Sequence, residues 1–190
     1  MAGDRRAERV AAVVAVIDSS EPRCGTTRLV AIDGPSGAGK TTLARDVAAE
    51  LAAPTIHMDD LYPGWDGLRA AVGLAQDWVV GHLRAGVPAR YRRWDWVGGS
   101  YAEWVQLPAA EVVLLEGCGS GARPVGDALS ALVWVDAEER VRHARAIARD
   151  PAYEAFWARW AAQERELYAA DGTSARADLV IDTTADGLAP

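Results

Sequence analysis

Five short apolar runs punctuate the chain: Leu29–Asp33, Thr55–Asp59, Val112–Glu116, Leu132–Asp136 and Leu179–Asp182. Each is rich in β-branched or large apolar residues, and each closes on a carboxylate. Continuous rather than alternating apolarity marks strands covered on both faces, as in a parallel sheet flanked by helices. Between the runs the period lengthens to that of a helix. Leu43, Val47 and Leu51 recur at i, i+4 and i+8 over Thr41–Leu51, with Arg45, Asp46 and Glu50 on the other faces. Leu68–Leu83 and Ala137–Arg149 predict further helices. Over Ala152–Tyr168, the residues Tyr153, Phe156, Trp157, Trp160, Glu164, Leu167 and Tyr168 share helical spacing. Residues 5–17 predict an additional helix, so 1–24 reads as an N-terminal helical extension. Strands alternating with helices predict an α/β architecture around a five-stranded parallel sheet.

Length adds that the 190 residues suit a single domain over 1–190, with no repeat or low-complexity linker. Half of the residues are hydrophobic and a quarter charged, the balance of a folded globular chain. A net charge of −7 argues against a nucleic-acid or anionic-membrane binder, which would carry a basic surplus. No apolar run reaches the roughly 18–20 residues of a membrane span. Cys24 and Cys118 are too few for a disulfide framework and lack CxxC spacing, and no secretory signal pattern is visible. A cytoplasmic location with reduced thiols is the expectation. Nothing in the sequence speaks to oligomeric state.

Chemistry enters with Gly34-Pro35-Ser36-Gly37-Ala38-Gly39-Lys40-Thr41, a full match to GxxxxGK[ST] between a predicted strand and a predicted helix. Glycines let the main chain wrap an anion with its N–H groups inward, and the following helix N-terminus adds favourable electrostatics. Gly34, Ser36, Gly37, Ala38, Gly39, Lys40, Thr41 and Thr42 are therefore the expected nucleotide contacts. Lys40 reaches the β- and γ-phosphates, and the Thr41 hydroxyl is an expected Mg²⁺ ligand. With this motif the fold class becomes a three-layer α/β/α P-loop fold with a helical lid.

Ligands of open parallel sheets gather at the carboxyl ends of strands. Asp59 and Asp60 follow the second apolar run, and Glu116 closes the third. Phosphoryl transfer needs a group that orients the acceptor hydroxyl and takes its proton. Asp59 is the first candidate for that base, with Asp60 as the alternative because register at a strand end is open; Glu116 is the candidate for orienting Mg²⁺. Arg142, Arg145 and Arg149 share a helical face just after the fourth run, where a lid over about 140–155 would bring them onto the phosphates. Residues 88–104 read as an aromatic loop in which Tyr91, Trp94, Asp95 and Trp96 form a wall for a planar or sugar-like ligand, or else cap the core. His57 and Met58 read as strand packing residues, and Trp157 and Trp160 as core. Gln163 and Glu164 are placed to reach the pocket. No metal-ligand cluster is apparent.

In order, GPSGAGKTT, DDLY, WDW, LLEG, RHARAIARD and ADLVID resemble the uridine–cytidine kinase group of the phosphoribulokinase and pantothenate kinase superfamily, from about Leu29 to Asp182. The resemblance implies an ATP- and Mg²⁺-dependent kinase of a small hydroxyl-bearing metabolite, a nucleoside first. It places Asp59 and Tyr62 at the family's Asp-x-Phe-Tyr step, Trp94-Asp95-Trp96 in the acceptor pocket, Glu116-Gly117 after the third run, and Arg142, Arg145 and Arg149 in the lid. Two alternatives stay open. One is a kinase of a non-nucleoside small molecule or of a nucleoside monophosphate, for which Arg90, Arg92 or Arg93 would serve. The other is a nucleotide-binding regulatory ATPase with no small-molecule acceptor.

Overall fold

In a computed structural model of the chain, residues 2–186 are described. The elements run α1 (Ala2–Asp18), β1 (Arg28–Asp33), α2 (Lys40–Leu51), β2 (Thr55–His57), α3 (Leu68–Leu74) continuing through a π-helical stretch (Ala75–Val80) into α4 (Gly81–Arg84), β3 (Arg90–Asp95), β4 (Ser100–Gln106), β5 (Val112–Glu116), α5 (Arg123–Gly126), β6 (Leu129–Asp136), α6 (Glu139–Arg149), α7 (Glu154–Asp171) and β7 (Leu179–Asp182). The five apolar runs are the parallel sheet, ordered β2-β5-β1-β6-β7.

The run at Thr55–Asp59 is shorter as a strand than its sequence suggests. β2 lies at the edge and pairs only with β5, from Thr55 opposite Leu114 to His57 opposite Glu116. Beyond Glu116 the partner strand ends, and Met58–Asp60 turn into one 3₁₀ turn. The aromatic segment 88–104 differs more. Rather than a loop it is an antiparallel hairpin, β3 on β4, standing apart from the main sheet. Its mixture of arginines and aromatics hides the strand alternation, because neither face is fully buried.

Successive residues of the central strands face opposite layers, as the twofold period of a strand requires. Val30 and Ile32 pack with Val13 and Ile17 of α1 and Leu43, Ala44 and Val47 of α2. Leu29 and Ala31 face the other side, toward α3, the π stretch and Trp157, Trp160 and Leu167 of α7. α1 is thus part of one helical layer: Val13 and Ile17 are fully buried, and its Arg6 and Arg9 pair with Asp46 and Asp186. Trp157 and Trp160 are core residues, as expected. No helix among the described residues is long and apolar enough to cross a membrane.

Candidate functional site

The centre of the site is the loop from Gly34 to Gly39 between β1 and α2. Gly37 has φ +78°, and a Cβ there would stand 2.1 Å from the Arg142 carbonyl of α6, so only glycine fits. α2 starts at Lys40 with Gly39 as its N-cap and no capping side chain. The first-turn amides, including those of Thr41 and Thr42, therefore lack an intrachain side-chain acceptor and suit an anion. Lys40 is buried, donating to the Pro35 carbonyl at 2.9 Å with Cys118 Sγ at 3.5 Å. Ala38, fully buried, is tied through its carbonyl to the Thr183 hydroxyl at 2.8 Å.

Three neighbouring strand ends meet here. β1 delivers the loop, β5 delivers Glu116, and β2 delivers Asp59 and Asp60 in its terminal turn. Glu116 is buried and accepts the Thr41 hydroxyl at 3.2 Å. Its other oxygen lies 2.5 Å from Nδ1 of His57. The expectation that His57 packs the strand is corrected: its side chain is 47% exposed and faces Glu116, because position 57 is the last paired residue of an edge strand. The Glu116 hydrogen bond raises the His57 pKa, against a smaller opposing effect of burial.

Asp59 is crowded by protein atoms yet exposed to solvent. Burial and the nearby Glu116 raise its pKa, while Lys40, Arg149 and His57 act the other way. Its electrostatic neighbours thus include Lys40, just beyond the loop, and Glu116 at the end of β5. Asp60 lies between His57 and the hairpin: burial raises its pKa as well, but His57, Arg93 and a hydrogen bond from Tyr91 oppose the rise. These carboxyl, hydroxyl and imidazole groups include the hard oxygen donors, Thr41 and Glu116, that suit Mg²⁺. No group of three or more His, Cys, Asp or Glu among the described residues forms a metal cage.

The remaining expected residues are distributed as follows. Arg142 donates to the carbonyls of Ala137 and Ser36, at the mouth of the loop. Arg145 donates to the hydroxyl and carbonyl of Thr183, at the end of β7, and Arg149 lies exposed within electrostatic reach of Asp59. Tyr62 is fully buried with its hydroxyl on the Cys118 carbonyl at 2.8 Å. Trp94 meets Tyr101 edge to face, and Trp96 donates its indole N–H to the Asp59 carbonyl at 3.1 Å. Asp95 accepts from Val97 at 2.9 Å and, with Gly98, closes its own hairpin turn; those amides hold its pKa below the usual range. Gln163 donates to the Trp65 carbonyl at 2.7 Å.

Trp65, unremarkable in sequence, is the hub that joins these parts. It stacks on Phe156 at 4.3 Å and Tyr153 at 5.2 Å, and meets Trp96 at 4.9 Å. A lone tryptophan beside a Pro-Gly turn carries no periodic signal, so only the fold reveals it. The arginines of the hairpin are engaged locally: Arg92 on the Tyr101 and Ala102 carbonyls, Arg93 on Glu103, and Arg90 over the Trp104 ring.

No protein-family model matches the chain, and no curated protein matches it by sequence. Solved structures do. A possible uridine kinase from Bacillus stearothermophilus superposes with a TM-score of 0.67 at 20% identity, covering 92% of this chain and 98% of its own. A candidate fructose transport system kinase from Silicibacter sp. TM1040 gives a TM-score of 0.59 at 21% identity, covering 90% and 98%. With the strand order and the loop after β1, these likenesses establish that the chain has the three-layer α/β/α P-loop fold seen in both structures.

Proposed function

We propose that the chain is an ATP- and Mg²⁺-dependent kinase that transfers the γ-phosphoryl group to a hydroxyl of a small metabolite, with a nucleoside of the uridine or cytidine kind as the leading acceptor. The observation that carries this reading is the shared surroundings of Lys40, Glu116 and Asp59. They lie at or beyond the ends of β1, β5 and β2, adjacent strands of one sheet, and Asp59 lies within the electrostatic reach of both Lys40 and Glu116. Support for the kinase class also comes from the two structural neighbours, both named as kinases.

In this reading the amides from Gly37 to Thr42 hold the α- and β-phosphates and Lys40 the β- and γ-phosphates. Thr41 and Glu116 would hold Mg²⁺, which would supply positive charge to offset that of the phosphate groups. Asp59 orients the acceptor hydroxyl and takes its proton; a pKa raised from the ordinary carboxylate value makes it a better acceptor for that proton. Arg142 stands at the loop mouth and Arg149 near Asp59, while Arg145 reaches phosphate only by leaving Thr183. Tyr62, Tyr91, Trp94, Asp60, Asp95, Trp96 and Gln163 shape the acceptor side in this reading, Tyr91 bonded to Asp60 and the others held by residues around them. A monophosphate acceptor is the weaker alternative, since Arg90, Arg92 and Arg93 are engaged within the hairpin.

The test is ADP release on presentation of nucleosides, nucleoside monophosphates and small alcohols with MgATP, for the wild type and Asp59→Asn. Acceptor-dependent ADP release that falls about 10²–10⁴-fold in Asp59→Asn, with MgATP still bound, is the expected result. Slow ATP hydrolysis indifferent to every acceptor would instead favour a regulatory ATPase.

A further inference from the structure

α7 contributes more than core packing. Its Glu164 is 3% exposed, and one carboxylate oxygen accepts both the Ser36 main-chain N–H at 2.8 Å and the Ser36 hydroxyl at 2.7 Å. The Cys118 thiol lies 3.1 Å from the same oxygen. Tyr153, ahead of α7, donates its hydroxyl to Ser36 Oγ at 3.1 Å. One turn beyond Glu164, the Tyr168 hydroxyl is 2.8 Å from Asp33 Oδ1 and 2.9 Å from the Gly34 carbonyl. A single helix therefore grips the entrance of the phosphate loop, residues 33–36, from 128 or more positions away in sequence.

The grip is unusual in its sign. Amides of such a loop ordinarily point at phosphate, and here one of them already has an anionic partner. The position along a bound triphosphate follows from Lys40. The lysine of this motif reaches the β- and γ-phosphates, whereas the amides farther along cradle the α- and β-phosphates. Lys40 Nζ and Glu164 flank the same sulfur of Cys118, at 3.5 Å and 3.1 Å, so Glu164 stands at the ammonium end. Burial works against the Lys40 charge, and the fields of Cys118, Glu164, Glu116 and Asp33 outweigh it. Before any phosphate arrives, the ammonium thus touches the Pro35 carbonyl and the Cys118 sulfur and lies in the field of the carboxylates Glu164, Glu116 and Asp33.

Resting on the nucleotide reading above, we propose that Glu164 is a positioning residue that determines nucleotide preference: it withdraws the Ser36 amide from the phosphate nest and fixes a negative charge beside the γ-phosphate position, so that the chain without acceptor binds MgADP more tightly than MgATP. The γ-phosphate brings the additional charge of ATP next to Glu164, whereas ADP ends before it. A charge acting through a site of intermediate dielectric over several ångströms alters an equilibrium about tenfold.

The experiment is calorimetric titration of the full chain with MgADP and MgATP, without acceptor, for wild type and Glu164→Gln, together with thermal melting of each. Glu164→Gln keeps the size and an acceptor oxygen while removing the charge. The expected result is a wild type that favours MgADP, and a variant whose MgATP-to-MgADP affinity ratio rises about tenfold, chiefly through MgATP. A ratio unchanged within twofold, or both affinities falling together with the melting temperature, makes Glu164 merely structural and overturns the proposal. Should Glu164→Gln not fold, the wild type still decides, because MgATP bound severalfold more tightly than MgADP excludes the proposed preference. A wild type that binds neither nucleotide sinks the kinase reading itself, an outcome distinct from an unaltered ratio between two nucleotides that both bind.

Discussion

The proposed phosphate end and the proposed acceptor end of this molecule are built differently. At the phosphate end the geometry is set by main chain: glycines at positive φ, an uncapped helix start and carboxylates at the ends of adjacent buried strands. At the acceptor end it is set by side chains leaning on one another, with Trp65 holding a hairpin against α7 and the hairpin's polar groups closing its own turns. The difference teaches where change is tolerated. A main-chain nest admits almost no substitution, whereas a side-chain assembly can be re-shaped one residue at a time, as a pocket that decides acceptor identity requires.

The most severe way to break this contrast is at the proposed base, where Asp59→Asn is expected to lose about 10²–10⁴ in turnover while MgATP affinity stays within about threefold. Next, Trp65→Ala removes the aromatic hub and is expected to destabilise the fold by about 2–4 kcal/mol in a denaturant titration. It should also raise KM for the acceptor more than for MgATP, and equal rises would show that the two ends are not separable. Gly37→Ala strikes the phosphate end instead: a Cβ against the Arg142 carbonyl in a left-handed backbone should weaken MgADP at least tenfold and cost about 1–3 kcal/mol.

Acid separates structural carboxylates from site carboxylates. Burial alone would raise the Asp171 pKa, but hydrogen bonds from Thr173, the Arg123 amide and Arg176 outweigh it and lower the value. A depressed folded value means the stabilisation is complete above the ordinary aspartate range and is lost as pH falls through the folded pKa. Melting temperature should therefore drop less steeply with acid in Asp171→Asn than in wild type, although the variant is less stable at neutral pH. Smallest of all, Arg93→Ala removes an exposed, solvent-screened pair with Glu103 and is expected to leave the denaturation midpoint unchanged within error. A large loss of acceptor binding in that variant would give Arg93 a place in the pocket after all.

The sequence by itself determined the glycine-rich loop, the five sheet strands and the acids at or just beyond their ends. Those features are local: a loop that wraps an anion needs glycine at stated spacings, and a strand buried on both faces needs an unbroken apolar run. In sequence Asp59 was the first candidate base and Asp60 the alternative, and the different surroundings of the two arise only where β2 runs out of partner beyond Glu116 and the chain turns. The hairpin, the exposure of His57, the centrality of Trp65 and the hold of Glu164 on Ser36 were decided by tertiary structure alone. Each depends on which surfaces meet after helices pack onto a sheet, and pairings across tens to more than a hundred residues leave no period or spacing in the chain for a reader to find.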